Sequence, residues 1–185
     1  DLLLAKTYFK NKEPNEALEC ANIYLSNHPN KAEGLILRAS IFQELKQEMA
    51  AKNDLEAAFE NLKNPNPRHY INIAEASLRV DHSNFEEALK WLKKGQEQFG
   101  FDIVLKEKTI EILLKNEQYD RAIAALDEIL NRFERKEKWL FQKGTIYEKA
   151  NDKEAALSSY KATLEALQNL PQRIQGTKKM RELQA

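Results

Sequence analysis

Few residues in this chain combine the type and the spacing that chemistry requires. The three histidines are His28, His69 and His82. No two stand four apart, the spacing that puts a pair of imidazoles on one helix face around a zinc ion. The single cysteine, Cys20, can close no disulfide within the chain and completes no zinc motif. It reads as a buried structural thiol on a helix. Gly95 and Gly100 have the spacing of the two glycines in a phosphate-binding loop, but Phe101 and Asp102 stand where that loop needs Lys and Ser or Thr. No strand-like segment precedes them, so the pair reads as a helix end and a turn. Carboxylates are plentiful, yet on regular helices they belong to solvated faces and ion pairs. No catalytic residue, no metal and no cofactor can be nominated.

Composition narrows the partners. Lys and Arg together number 29, as do Asp and Glu, so the net charge is zero. A protein held to nucleic acid chiefly by neutralising phosphates would be basic, so no nucleic acid partner is expected. No apolar run approaches the roughly 18 residues of a membrane span. The chain opens at Asp1-Leu2-Leu3-Leu4 already inside a helical pattern, which leaves upstream residues as an expectation. The compartment stays open: cytoplasmic, or periplasmic and cell-envelope if an N-terminal signal has been removed.

The elements behind these residues repeat. Small residues recur at Ala17, Ala51, Ala88, Ala122 and Ala156, with gaps of 34, 37, 34 and 34. A second compact position lies twelve residues earlier at Ala5, Ala39, Ile110 and Gly144. In the third unit Ala74 keeps Tyr70 and Ile73 in register, so the turn at 80–84 should hold about two extra residues. Tyr119, Ala122, Ile123, Leu126, Ile129, Leu130 and Phe133 step by three and four and make one helical stripe. Two antiparallel helices of about 13 residues with two short turns use about 34 residues. One such hairpin cannot bury its apolar face alone, and the next hairpin completes the core. No segment alternates with period two, so no sheet is predicted.

With Leu140, Gly144, Tyr147, Ala156 and Tyr160 in the fifth unit, and Leu4, Ala5, Tyr8, Ala17, Ala21, Tyr24 and Pro29 in the first, the chain resembles the tetratricopeptide repeat family. The fourth unit departs most, with Thr109, Ile110 and Leu113 where Leu, Gly and Tyr are usual. The resemblance implies an all-α fold, a right-handed α-α superhelix of five antiparallel hairpins. The units are expected at about 1–31, 32–66, 67–101, 102–136 and 137–169, with a C-terminal capping helix over 171–185.

The resemblance also implies a non-catalytic scaffold that holds a protein or peptide partner in a concave groove lined by the first helix of each unit. Phe9, Ile36, Gln43, Arg68, Ile71, Glu75, Leu78, Glu111, Phe141 and Thr145 are the expected groove residues. Exposed Ile36, Ile71 and Phe141 would be costly without a partner; the competing reading packs them against neighbouring helices. A two-carboxylate clamp of the kind some relatives use on chaperone tails matches only in fragments, around Lys6, Arg68, Asn72 and Lys108. Other readings are the repeat portion of a larger enzyme or cell-envelope complex, and an RNA-binding helical repeat, which neutral charge opposes. Self-association through the terminal repeats is a further partner expectation.

Overall fold

The structure is a computed structural model and describes residues 1–170. The capping helix expected over 171–185 lies outside the described residues. Within them the chain is all helical. The order is α1 (Leu2–Lys10), α2 (Pro14–Asn27), α3 (Ala32–Glu44), α4 (Glu48–Glu60), α5 (Pro67–Val80), α6 (Phe85–Phe99), α7 (Ile103–Lys115), α8 (Tyr119–Leu130), α9 (Glu137–Lys149) and α10 (Lys153–Gln168). Contacts divide the chain into two compact units, one over Asp1–Leu105 and one from Lys106 onward.

Helix starts are set by short polar side chains and proline. Asp1 accepts from the Leu3 amide at 2.9 Å, and Asp152 from the Ala155 amide at 3.0 Å. Asp102 accepts from the amides of Val104 and Leu105 at 2.9 and 3.0 Å. Each bond satisfies a donor that the first helical turn leaves open. Pro14 and Pro67 open α2 and α5, where a missing N–H costs nothing.

Most turns inside the hairpins share one backbone device. The three-residue turns 11–13, 45–47, 116–118 and 150–152 each hold a residue in the left-handed region: Lys12 at φ 62°, Lys46 at 60°, Glu117 at 55° and Asn151 at 60°. The turn at 81–84 has four residues and no positive φ. Only one of the two extra residues expected there lies in the turn. The other lengthens α5 to 14 residues against 13 in α3, α7 and α9. Non-glycine residues other than Asn and Asp pay about 1 kcal/mol for that region. Glu117→Gly should therefore raise the urea midpoint by an equivalent of about 0.5–1 kcal/mol, and Glu117→Val should lower it.

In the first unit α1 packs on α2, α3 on α4 and α5 on α6, with α2 on α3 and α4 on α5 joining successive hairpins. Ala5, Ala17, Ala39, Ala51, Ala74 and Ala88 have no exposed surface. They sit where helices cross, and a larger side chain would push the helices apart. A Cβ on Gly34 would fall 2.8 Å from the Tyr24 ring, so α3 lies close against α2. Phe59, Tyr70, Trp91 and Phe99 form an aromatic chain across α4, α5 and α6, with Phe59 edge-on to Tyr70 at 4.8 Å and to Trp91 at 5.4 Å.

In the second unit α9 packs on α8 and α10. The α8 stripe is buried as Ala122, Ile123, Leu126, Ile129 and Leu130, and Phe133 beyond it remains exposed. A Cβ on Gly144 would fall 2.5 Å from the Tyr160 ring, the tightest approach among the described helical glycines. Trp139 is buried, with the Lys138 Nζ 3.9 Å from its ring centroid.

Candidate functional site

The expected groove residues fall on both units, and each set is taken by itself. In the first unit, Lys6 of α1 pairs with Glu33 of α3 and ties their faces together. Phe9 is half-buried against the core around Ala5, Ala17, Ala21 and Ile41. Ile36 is half-buried and packs against two clusters, one containing Ile73 and one containing Leu35. Ser40 spends its hydroxyl on the Ile36 carbonyl at 3.0 Å. Gln43 and Leu78 are half-buried, and Arg68 is exposed. Glu75 is half-buried and has an interaction partner.

Ile71 does not fit the expectation. It is 2 % exposed, inside the core with Tyr70, Ile73 and Ala74. One residue along a helix turns the side chain by about 100°, and the position that reaches the surface is its neighbour Asn72. Asn72 lines a shallow cleft with Ile36 of α3, Phe59 of α4 and His69 of α5. In the sequence Asn72 stands out only as a fragment of the clamp. Its polarity between the buried apolar residues Ile71 and Ile73 is the signal that marks it. The side chains of Gln43, Arg68 and Asn72 have no hydrogen bond or ion pair among the described residues.

The same unit holds a polar joint. Arg38 of α3 donates from Nε to Asp54 Oδ2 at 2.7 Å and from Nη2 to Oδ1 at 2.8 Å. Its Nη1 donates to Asn22 Oδ1 at 2.9 Å. Asp54 is buried, and hydrogen bonding to it raises the Arg38 pKa above its ordinary value. Three helices are thereby fixed in one register by a planar fork that lysine could not reproduce.

In the second unit, Glu111 bonds Lys115 at 2.8 Å and Lys108 at 3.0 Å. Lys115 first, and Lys108 after it, hold its carboxyl below the ordinary range, against the opposing effect of burial. Glu111 is therefore already committed within α7. Thr145 donates to the Phe141 carbonyl at 3.1 Å. Phe141 stays 36 % exposed with its ring 5.6 Å from that of Tyr160. Lys138 bonds Glu107 at 2.7 Å.

Among the described residues no three His, Cys, Asp or Glu side chains are grouped so as to hold a metal ion. No helix there is long and apolar enough to cross a membrane. Cys20 is half-buried beside the first-hairpin core.

Stacked helical hairpins joined at small-residue crossings define a helical-repeat protein. Two family models, both described as tetratricopeptide repeat, match residues 1–31 and 109–171, together half of the chain. The chain belongs to the tetratricopeptide repeat family. No curated protein matches it. Among solved structures it is similar to MamA, at 15% identity and TM-score 0.67 over 88% of this chain and 94% of that one. MamA from Desulfovibrio magneticus RS-1, residue 41 to its end, is similar at 15% identity and TM-score 0.64 over 94% and 93%. YrrB, described as a TPR protein with an unusual peptide-binding site, is similar at 14% identity and TM-score 0.61 over 89% and 84%. At these identities the likeness shows the fold.

Proposed function

We propose that this chain is a non-catalytic scaffold that binds a peptide or protein segment on the first-helix faces of its hairpins. The observation that carries the reading is in the first unit: Gln43, Arg68 and Asn72 are accessible polar side chains that no other described residue satisfies. Half-buried Ile36 lies beside Asn72. Amide side chains next to an apolar surface suit an extended peptide, because they can bond its backbone while a side chain rests on the hydrocarbon. YrrB supports the class of ligand as a protein of the same fold whose description names a peptide-binding site.

The test is a displayed random-peptide selection on the whole chain, repeated on an Arg68→Ala, Asn72→Ala variant. Both positions reach the surface, so the variant is expected to fold. The proposal expects a recurring peptide from the wild type that the variant holds at least tenfold more weakly. Peptides retained equally by both proteins would remove this face as the site.

A further inference from the structure

The start of α5 is unusual in its chemistry. Asn66 accepts from the Arg68 amide at its side-chain oxygen, 3.0 Å, and its carbonyl accepts from the His69 amide at 3.0 Å. In return the Asn66 amide donates to His69 Nδ1 at 3.0 Å. This is a capping box in which histidine takes the place usually held by glutamate or glutamine. A backbone N–H can only donate, so Nδ1 must carry its lone pair and the proton must sit on Nε2.

We infer that this joint between the second and third hairpins is acid-labile, because protonating His69 at Nδ1 removes the acceptor that closes the first turn of α5. The surroundings reinforce the neutral form. From α3 the ring's cleft receives Ile36, from α4 Leu55, Ala58 and Phe59, and from the turn Leu62, all uncharged. From α5 it receives Asn72 and Ile73. The adjacent residue on the same helix is Arg68, a cation, and the helix N-terminus itself repels positive charge. No carboxylate lines the cleft to stabilise an imidazolium. Burial accordingly lowers the His69 pKa from its ordinary 6.5.

The sign follows. A base whose folded pKa lies below its unfolded one favours folding fully above the unfolded value. That contribution is lost as pH falls from about 6.5 toward the lower folded value. His28 provides an internal contrast. Its Nδ1 lies 3.2 Å from the Tyr24 carbonyl, an acceptor, so a proton there preserves that bond.

The experiment is heteronuclear NMR on the whole chain at pH 7.5 and 5.0, reading the His69 tautomer and the protection factor of the Asn66 amide. The expected result is an Nε2–H tautomer at pH 7.5 and a severalfold loss of Asn66 protection at pH 5.0, bounded at about 30-fold. His69→Gln should flatten that change, since its amide oxygen accepts at either pH. An Nδ1–H tautomer, constant protection in the wild type, or an unchanged loss in His69→Gln would each overturn the inference.

Discussion

Ile71→Glu is expected to unfold the Asp1–Leu105 unit instead of yielding a folded protein with an altered surface. Ile71 is 2 % exposed, a buried residue of α5 like Tyr70, Ile73 and Ala74. A carboxylate there would lose its hydration, and a shift to the neutral acid only limits the loss. The cost should reach about 4 kcal/mol or more, a large part of a domain's usual 5–15 kcal/mol. Ile71→Val, which removes one methylene, should cost about 0.5–1.5 kcal/mol. Trp91 reports on this unit, and a Trp139→Phe background isolates its fluorescence during urea unfolding. A midpoint for Ile71→Glu within the scatter of the wild type would show that Ile71 faces water after all.

Asp54→Ala should follow closely. The two bonds from Arg38 are short and parallel, and Asp54 is 7 % exposed. Removing the carboxylate strands a guanidinium whose side chain is 24 % exposed. Water can reach that cation in part, so the loss should fall at about 2–3 kcal/mol, at or below the low end for a broken buried pair. Replacing both partners should cost less than the sum of the single changes, since neither then leaves an unpaired charge. Urea midpoints of Arg38→Ala, Asp54→Ala and the double variant complete the cycle. Additive losses would mean that the fork contributes no coupling.

The fold was largely legible because its strongest constraint is written in residue size. Ala17, Ala51, Ala88, Ala122 and Ala156 recur because two helices meet there, and all five are buried. The apolar stripe from Ala122 to Leu130 names its buried face in the same way. Turn geometry was less visible. Lys12, Lys46 and Glu117 adopt positive φ without the glycine or asparagine that would announce it, and only Asn151 carries that signal.

The candidate surface was legible only in part. Apolar residues mark a helix's buried face, but a row assigned by repeat register can be wrong by one residue, which is about 100° of rotation. Repeat register gives Ile71 an outward place although it is buried, and α5 is one residue longer than α3, α7 and α9. Glu111 has Lys108 and Lys115 at helical pair spacing, but that both engage it at once follows only from the rotamers. The His69 box was hidden for the same reason: Asn66 and His69 have the right spacing, but the role of Nδ1 follows only from the Asn66 amide beside it.

The most direct test of the scaffold reading is the calorimetric Kd of a peptide selected on the whole chain, measured for the wild type and for Arg68→Ala, Asn72→Ala at matched circular dichroism. Saturable one-to-one binding that weakens at least tenfold in the variant, about 1.4 kcal/mol, is expected. Equal affinity in two equally folded proteins would contradict it.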